Sequence, residues 1–195
     1  MFYSIAEAVH ADLLIKKSRF IACVEPVQDR AAALKIVARL REQHPGAAHV
    51  CWALMAGGQS AAVDDGEPSG TAGRPMLEVL RHQNLEGVLA TVVRYFGGVK
   101  LGAGGLVGAY TDAVAQAVNN AHKIPIVKRS VLNCRFAYSL EGLVRREVEQ
   151  AGARFLNVQH DSDVLCAIEV SEAELDHLVL RINDGAQGRV VWLAD

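Results

Sequence analysis

The chain has 195 residues, of which 51% are hydrophobic and 22% charged, a balance that fits one large or two small globular domains with filled cores. Its formal net charge of −2 excludes a dedicated polycationic DNA binder. No apolar run reaches the ~18 residues a membrane-spanning helix needs, so no membrane role is expected.

Charge is unevenly spread. Through Lys128 there are 13 Lys/Arg against 11 Asp/Glu, and from Arg129 onward 7 against 11. A weakly basic first part and an acidic second part point to separate surfaces. Glu7, Asp12 and a late Lys16-Lys17 are not the pattern of a secretory signal, and a cytoplasmic location is expected. Cys23, Cys51, Cys134 and Cys166 are scattered with no CxxC pair. They read as free thiols in a reducing compartment rather than as zinc ligands.

In chain order, Tyr3 to Val9 reads as a strand with a return around Leu13 to Lys16, and Lys16 to Arg19 as a basic turn. Phe20 to Val24 is a short apolar run expected to be buried on both sides. Asp29 caps a helix over Arg30 to Gln43, with Ala33, Leu34, Val37 and Leu40 at helical spacing. His44-Pro45-Gly46 stops it. His49 to Met55 is a strand closed by Gly57-Gly58.

An acidic loop follows, then a helix from Thr71 or Pro75 to His82. Gly87 to Phe96 is a valine-rich strand, and a glycine loop opens a helix over Ala103 to Ala121. Lys123 to Lys128 reads as a linker or extended crossover. Beyond it come a strand from Ser130 to Tyr138, a helix to Gly152, strands over Arg154 to His160 and Leu165 to Val170, a helix started by the Ser171/Glu174 capping box, and a last strand from Arg189 to Leu193. That order, β-α-β-β-α-β, is the ferredoxin-like unit. The fold class is α+β, with domains over 1–125 and 129–195.

The two loops carry the chemistry. The first, from Asp64 to Pro75, reads DDGEPSGTAGRP. Asp65-Gly66 favours a turn, Ser69 and Thr71 suit N-caps, and Pro75 suits a first helical turn. Asp64, Asp65 and Glu67 are too close together for helix punctuation alone. They are expected to hold something positive: Arg74, Arg94 or Lys100 of the same domain, a partner's cation, or a hard metal such as Mg²⁺. Internal pairing is the favoured outcome, with no metal or cofactor assigned.

The second loop places six glycines between Gly97 and Gly108. A strand, a glycine loop and a helix N-terminus make an anion-binding arrangement. Neither a Walker loop nor the dinucleotide fingerprint matches it. Tight packing is the plainer reading of Gly97, Gly98, Gly102, Gly104 and Gly105. Arg94, Tyr95 and Lys100 would suit a phosphodiester backbone with stacked bases, although Tyr95 and Phe96 point to opposite faces of a strand. Lys16, Lys17 and Arg19 are either a solvated tip or the edge of the same footprint. His49 reads as a structural histidine. No catalytic residue is assigned.

These strings resemble a known family. Asp64 to Pro75 matches D-D-G-E-P-x-G-T-A-G-x-P of the IMPACT/YigZ family, with Gly66 and Gly70 at two of its glycines. Val92 to Tyr110 resembles V-V-R-Y-[YF]-G-G-x-x-L-G-x-G-G-L-x-x-A-Y, and Lys16 to Phe20 resembles K-K-S-R-F. The resemblance implies a first domain similar to domain four of elongation factor G and a ferredoxin-like second domain similar to its domain five. Proteins with those domains contact ribosomal RNA. Eukaryotic relatives act in translational control through a further N-terminal domain, a mechanism that does not carry over.

Two functions stay open, beside a plainer third, a protein-interaction scaffold that docks through the acidic second domain. One is a non-catalytic module binding RNA, the ribosome or a translation factor through Lys16, Lys17, Arg19, Arg74, Arg94, Tyr95 and Lys100, with the acidic second domain as a docking surface for a protein partner. The other is a Mg²⁺-dependent hydrolase of a phosphorylated or peptide-like small molecule, built on Asp64, Asp65 and Glu67 beside Ser69 and Thr71. The first is favoured.

Overall fold

The structure is a computed structural model that describes residues 1–193. It divides into two compact units between Ile126 and Val127, and both mix helices with sheet. No helix among the described residues is long and apolar enough to cross a membrane.

The first unit runs β1 (Tyr3–Ile5), β2 (Val9–Ile15), β3 (Ser18–Pro26), α1 (Arg30–Gln43), β4 (His49–Ala56), β5 (Gln59–Val63), α2 (Gly73–His82), β6 (Val88–Tyr95), α3 (Gly102–Asn119) and β7 (Lys123–Pro125). Five strands form one sheet in the order β2-β3-β6-β4-β5, every neighbouring pair antiparallel. β6 lies at its centre with helices on both faces, which is why the run from Val88 to Arg94 is buried throughout.

Alternation assigns the faces. Val88, Ala90 and Val92 join Phe20, Ala22 and Val24 of β3 and Cys51 and Ala53 of β4 under α2 and α3. Leu89 and Val93 join Val50, Trp52 and Leu54 under α1. The same parity sends Arg94 toward α2 and α3, and Tyr95 toward α1.

Helix α1 has the expected bounds, and Asp29 caps it by accepting the Ala32 N–H at 2.8 Å. Two elements differ from the sequence reading. The first strand is two, β1 and β2. Gln59–Val63 is a strand, β5, that returns on β4 through Gly57-Gly58. Lys123–Pro125, read as a linker or an extended crossover, is an extended strand paired antiparallel with β1.

The second unit runs β8 (Arg129–Phe136), a single 3-10 turn at Tyr138–Leu140, α4 (Glu141–Gln150), β9 (Arg154–His160), β10 (Val164–Ser171), α5 (Leu175–Ala186) and β11 (Val191–Leu193). Its sheet order is β11-β8-β10-β9, the ferredoxin-like arrangement. Cys134, Phe136, Val164, Cys166 and Ile168 pack with Val144, Leu178 and Ile182 of the two helices as its core. The Ser171/Glu174 capping box does not form. Glu174 is the N-cap with helical backbone and no side-chain cap, and its N–H donates to the Ser171 carbonyl at 3.0 Å.

Candidate functional site

Each carboxylate of the acidic loop is engaged by the chain itself. Asp64 accepts three backbone N–H groups, from Gly70 at 2.7 Å, Gly73 at 2.8 Å and Ala72 at 3.1 Å. It therefore caps α2 from nine positions away. The expected caps do not act: Ala72 is the N-cap and has no side-chain bond, Ser69 is exposed, and the Thr71 hydroxyl donates back to the Pro68 carbonyl at 2.6 Å. Burial pushes the Asp64 carboxyl up, but the three N–H donors outweigh it and hold it below the usual carboxylate value. Gly73 is required here, because a Cβ would lie 2.4 Å from the Val63 nitrogen.

Asp65, at φ 47°, receives Arg41 Nη2 at 2.6 Å and the Val50 N–H at 2.7 Å. Its carbonyl accepts from His49 Nδ1 at 2.8 Å. His49 thus pins the loop to β4 as a structural histidine.

Glu67 is the buried centre. Its side chain is 3% exposed, and Oε1 accepts from Arg94 Nη1 at 2.5 Å and from the Tyr110 hydroxyl at 2.7 Å. The Arg94 guanidinium also lies over the rings of Phe20, at 5.4 Å, and Phe96, at 5.6 Å, while its Nε has no hydrogen-bond partner among the described residues. Cys51 Sγ sits 3.3 Å from the Tyr110 hydroxyl and 2.9 Å from the Asp64 carbonyl. Burial pushes the Cys51 thiol up to about 12 and raises Tyr110 as well, so neither is an activated nucleophile. Of the three cations expected to pair with the acids, Arg94 does so, Arg74 and Lys100 do not, and Arg41 supplies the other pair.

The lysine turn and the glycine loop are neighbours because β3 starts where β6 ends, with Arg19 opposite Tyr95 and Phe20 opposite Arg94, and the acidic loop is tied to the same end of β6 by the Glu67–Arg94 pair. Lys16 and Lys17 form the tight turn between β2 and β3, both with positive φ, 44° and 66°. Such backbone costs a non-glycine residue roughly 1–2 kcal/mol. The turn rests on Gly97, whose Cβ would come 2.0 Å from the carbonyl carbon and oxygen of Lys17. The buried Ser18 hydroxyl accepts the Gly97 N–H at 3.2 Å and closes the contact.

The candidate binding residues divide accordingly. Lys16, Lys17 and Lys100 are exposed. Arg19 is exposed but paired with Asp12 through three hydrogen bonds of 2.5–3.1 Å. Arg94 is buried in the Glu67 pair and cannot reach an outside phosphate. Tyr95 is half-buried, its hydroxyl 2.8 Å from His44 Nδ1 at the end of α1. Phe96, at 51% exposure, is the aromatic that faces out. Arg74 stands on the first turn of α2, away from the lysine turn in sequence and on a different element. The alternation of β6 could have separated Tyr95 from Phe96, but only the side on which α1 packs tells which is inside.

The Impact N-terminal domain family matches residues 16–118, from the lysine turn through nearly all of α3. A domain of unknown function, DUF1949, matches residues 134–189 within the second unit. The IMPACT family member YvyE of Bacillus subtilis is 34% identical over 89% of this chain and 81% of its own. The IMPACT family member YigZ of Escherichia coli is 35% identical over 92% and 91%. A crystal structure of a hypothetical protein aligns over 100% of this chain and 97% of its own, with a TM-score of 0.69 and 32% identity. With the Asp64 loop, the lysine turn and the glycine loop assembled in one domain and both halves matched, the chain belongs to the IMPACT family.

Proposed function

We propose that the chain is a non-catalytic RNA-binding module acting in translation, and that it meets RNA through the Lys16-Lys17 turn and the loop from Gly97 to Leu101. The observation that carries this reading is the strained lysine turn held on Gly97. Two cations occupy a conformation that glycine or asparagine would adopt more cheaply, and the Ser18 hydroxyl and the bare Gly97 backbone keep them there. Strain of this kind collects at binding sites.

Phe96 and Lys100 extend the same loop, offering one stacking surface and one more cation. The amide N–H groups at the start of α3 lack a side-chain cap and favour an anion. The hydrolase alternative loses its metal-facing carboxylates, because Asp64, Asp65 and Glu67 are bound to backbone N–H groups, Arg41 and Arg94.

The test is fluorescence anisotropy with a labelled single-stranded RNA, together with ribosome co-sedimentation, through a salt gradient. Wild type should bind at low salt, with an affinity that falls linearly on a log–log scale. Charge reversal at Lys16, Lys17 and Lys100 should flatten the slope by roughly 2, at about 0.7 for each lost phosphate contact on a single strand. Phe96→Ala should cost roughly 1–3 kcal/mol. Absence of binding at low salt, or indifference to the triple reversal, would remove the proposal.

A further inference from the structure

A groove of about 590 Å³ runs between the outer sides of α2 and α3, within the usual range of small-molecule sites. Helical spacing builds it. Pro75 and Val79 on α2 face Val107 and Ala115 on α3, each pair one or two turns apart on its own helix. The walls are therefore apolar, and Thr111 adds one hydroxyl.

The polar groups at the rim are nearly all engaged within the chain. Glu78 accepts from Arg81 at 2.8 Å. His82 Nδ1 lies 2.7 Å from the Glu78 carbonyl. Gln83 Oε1 accepts from Lys123 Nζ at 2.6 Å. Arg74 is the charged exception: it is exposed and has no hydrogen bond or ion pair among the described residues.

Arg74 stands in the first turn of α2, at the end that the Asp64 carboxylate caps. Asp64 takes the N–H groups of Ala72 and Gly73, so the positive group left for a visitor is the Arg74 side chain.

We propose that this groove binds a small amphiphilic acid, with its apolar body between Val79 and Val107 and its single anionic head on the Arg74 guanidinium. Charge complementarity selects this occupant, because the one unpaired fixed charge on the lining is positive and the walls around it are apolar. The site is separate from the lysine turn and does not depend on RNA binding.

The experiment is a fluorescence titration of the full chain with 1-anilinonaphthalene-8-sulfonate, an apolar body carrying one sulfonate. One saturable, blue-shifted site is expected, from which decanoate displaces the dye. Arg74→Ala should weaken binding at least tenfold, Arg74→Lys should restore most of it, and Val107→Asp should abolish it. Arg74 and Val107 are both exposed, so the thermal midpoint should hold in all three variants. The uncharged analogue N-phenyl-1-naphthylamine should bind wild type and Arg74→Ala alike. No saturable binding, equal dye affinity in Arg74→Ala, or failure of decanoate to compete would overturn the proposal. Dye bound to some other apolar surface would be indifferent to both Arg74 and Val107, which also overturns it.

Discussion

Glu67 and Arg94 lie 27 positions apart and meet at 2.5 Å with both side chains almost fully buried. The pair ties the acidic loop to the end of the central strand. Removing one partner of a buried ion pair strands the other charge and costs roughly 3–5 kcal/mol. Arg94→Met should lower the urea midpoint on that scale. The Glu67→Gln/Arg94→Met double variant should lose less than the sum of the single losses, because no charge is left buried alone. Additive losses in a double-mutant cycle would count against this account.

Asp64 should make stability depend on acid. Its folded-state carboxyl is held below the ordinary value of 3.8, so its contribution is fully present above that value and is lost as the pH falls through the depressed one. Asp64→Asn keeps one accepting oxygen but removes the charge at the α2 N-terminus and one of the two acceptors, and should destabilise by about 1 kcal/mol at pH 7. Wild type and variant should converge as the pH drops below about 3.8. Urea titrations at pH 7, 5 and 3 check the sign.

The glycines should separate into two groups under alanine substitution. Gly97→Ala and Gly73→Ala drive a Cβ into backbone at 2.0 and 2.4 Å and should lower the melting temperature strongly. Gly104 and Gly108 are helical, and a Cβ there meets nothing within 4 Å. Gly104→Ala and Gly108→Ala should each stabilise by roughly 0.5–1 kcal/mol. Thermal melts of the four variants decide it.

The buried Cys51 thiol, pushed up to about 12 by burial, should resist alkylation. Iodoacetamide at pH 8 should leave Cys51 unmodified in the native chain and modify it once the chain is unfolded. Peptide mass analysis reads both states, and rapid native labelling would contradict the described burial.

What the sequence made legible follows from range. Helix α1 and its Asp29 cap are local, and their reading holds. The βαββαβ order of the second unit is also local, since each element carries its own period. The fate of Arg94 was legible only in part: it was one of three cations expected to pair with the acids, and it was also offered to RNA. As part of V-V-R-Y it continues a buried strand, yet its partner lies in a distant loop that only the tertiary fold brings near. Asp64 looks like a metal ligand or a charge partner until its neighbours' N–H groups are seen to turn toward it. β5 was hidden because Gln59-Ser60-Ala61-Ala62-Val63 is small and polar, and an edge strand buries only part of one face.

The central place of β6 has an outcome for synthesis. It is the last of its sheet's five strands to leave the ribosome, yet it joins the two ribbons made before it, β2 with β3 and β4 with β5. Until Val88 to Tyr95 emerge, each ribbon carries an open inner edge that another nascent chain could occupy. A product truncated before Val88 should therefore self-associate rather than remain as two harmless hairpins.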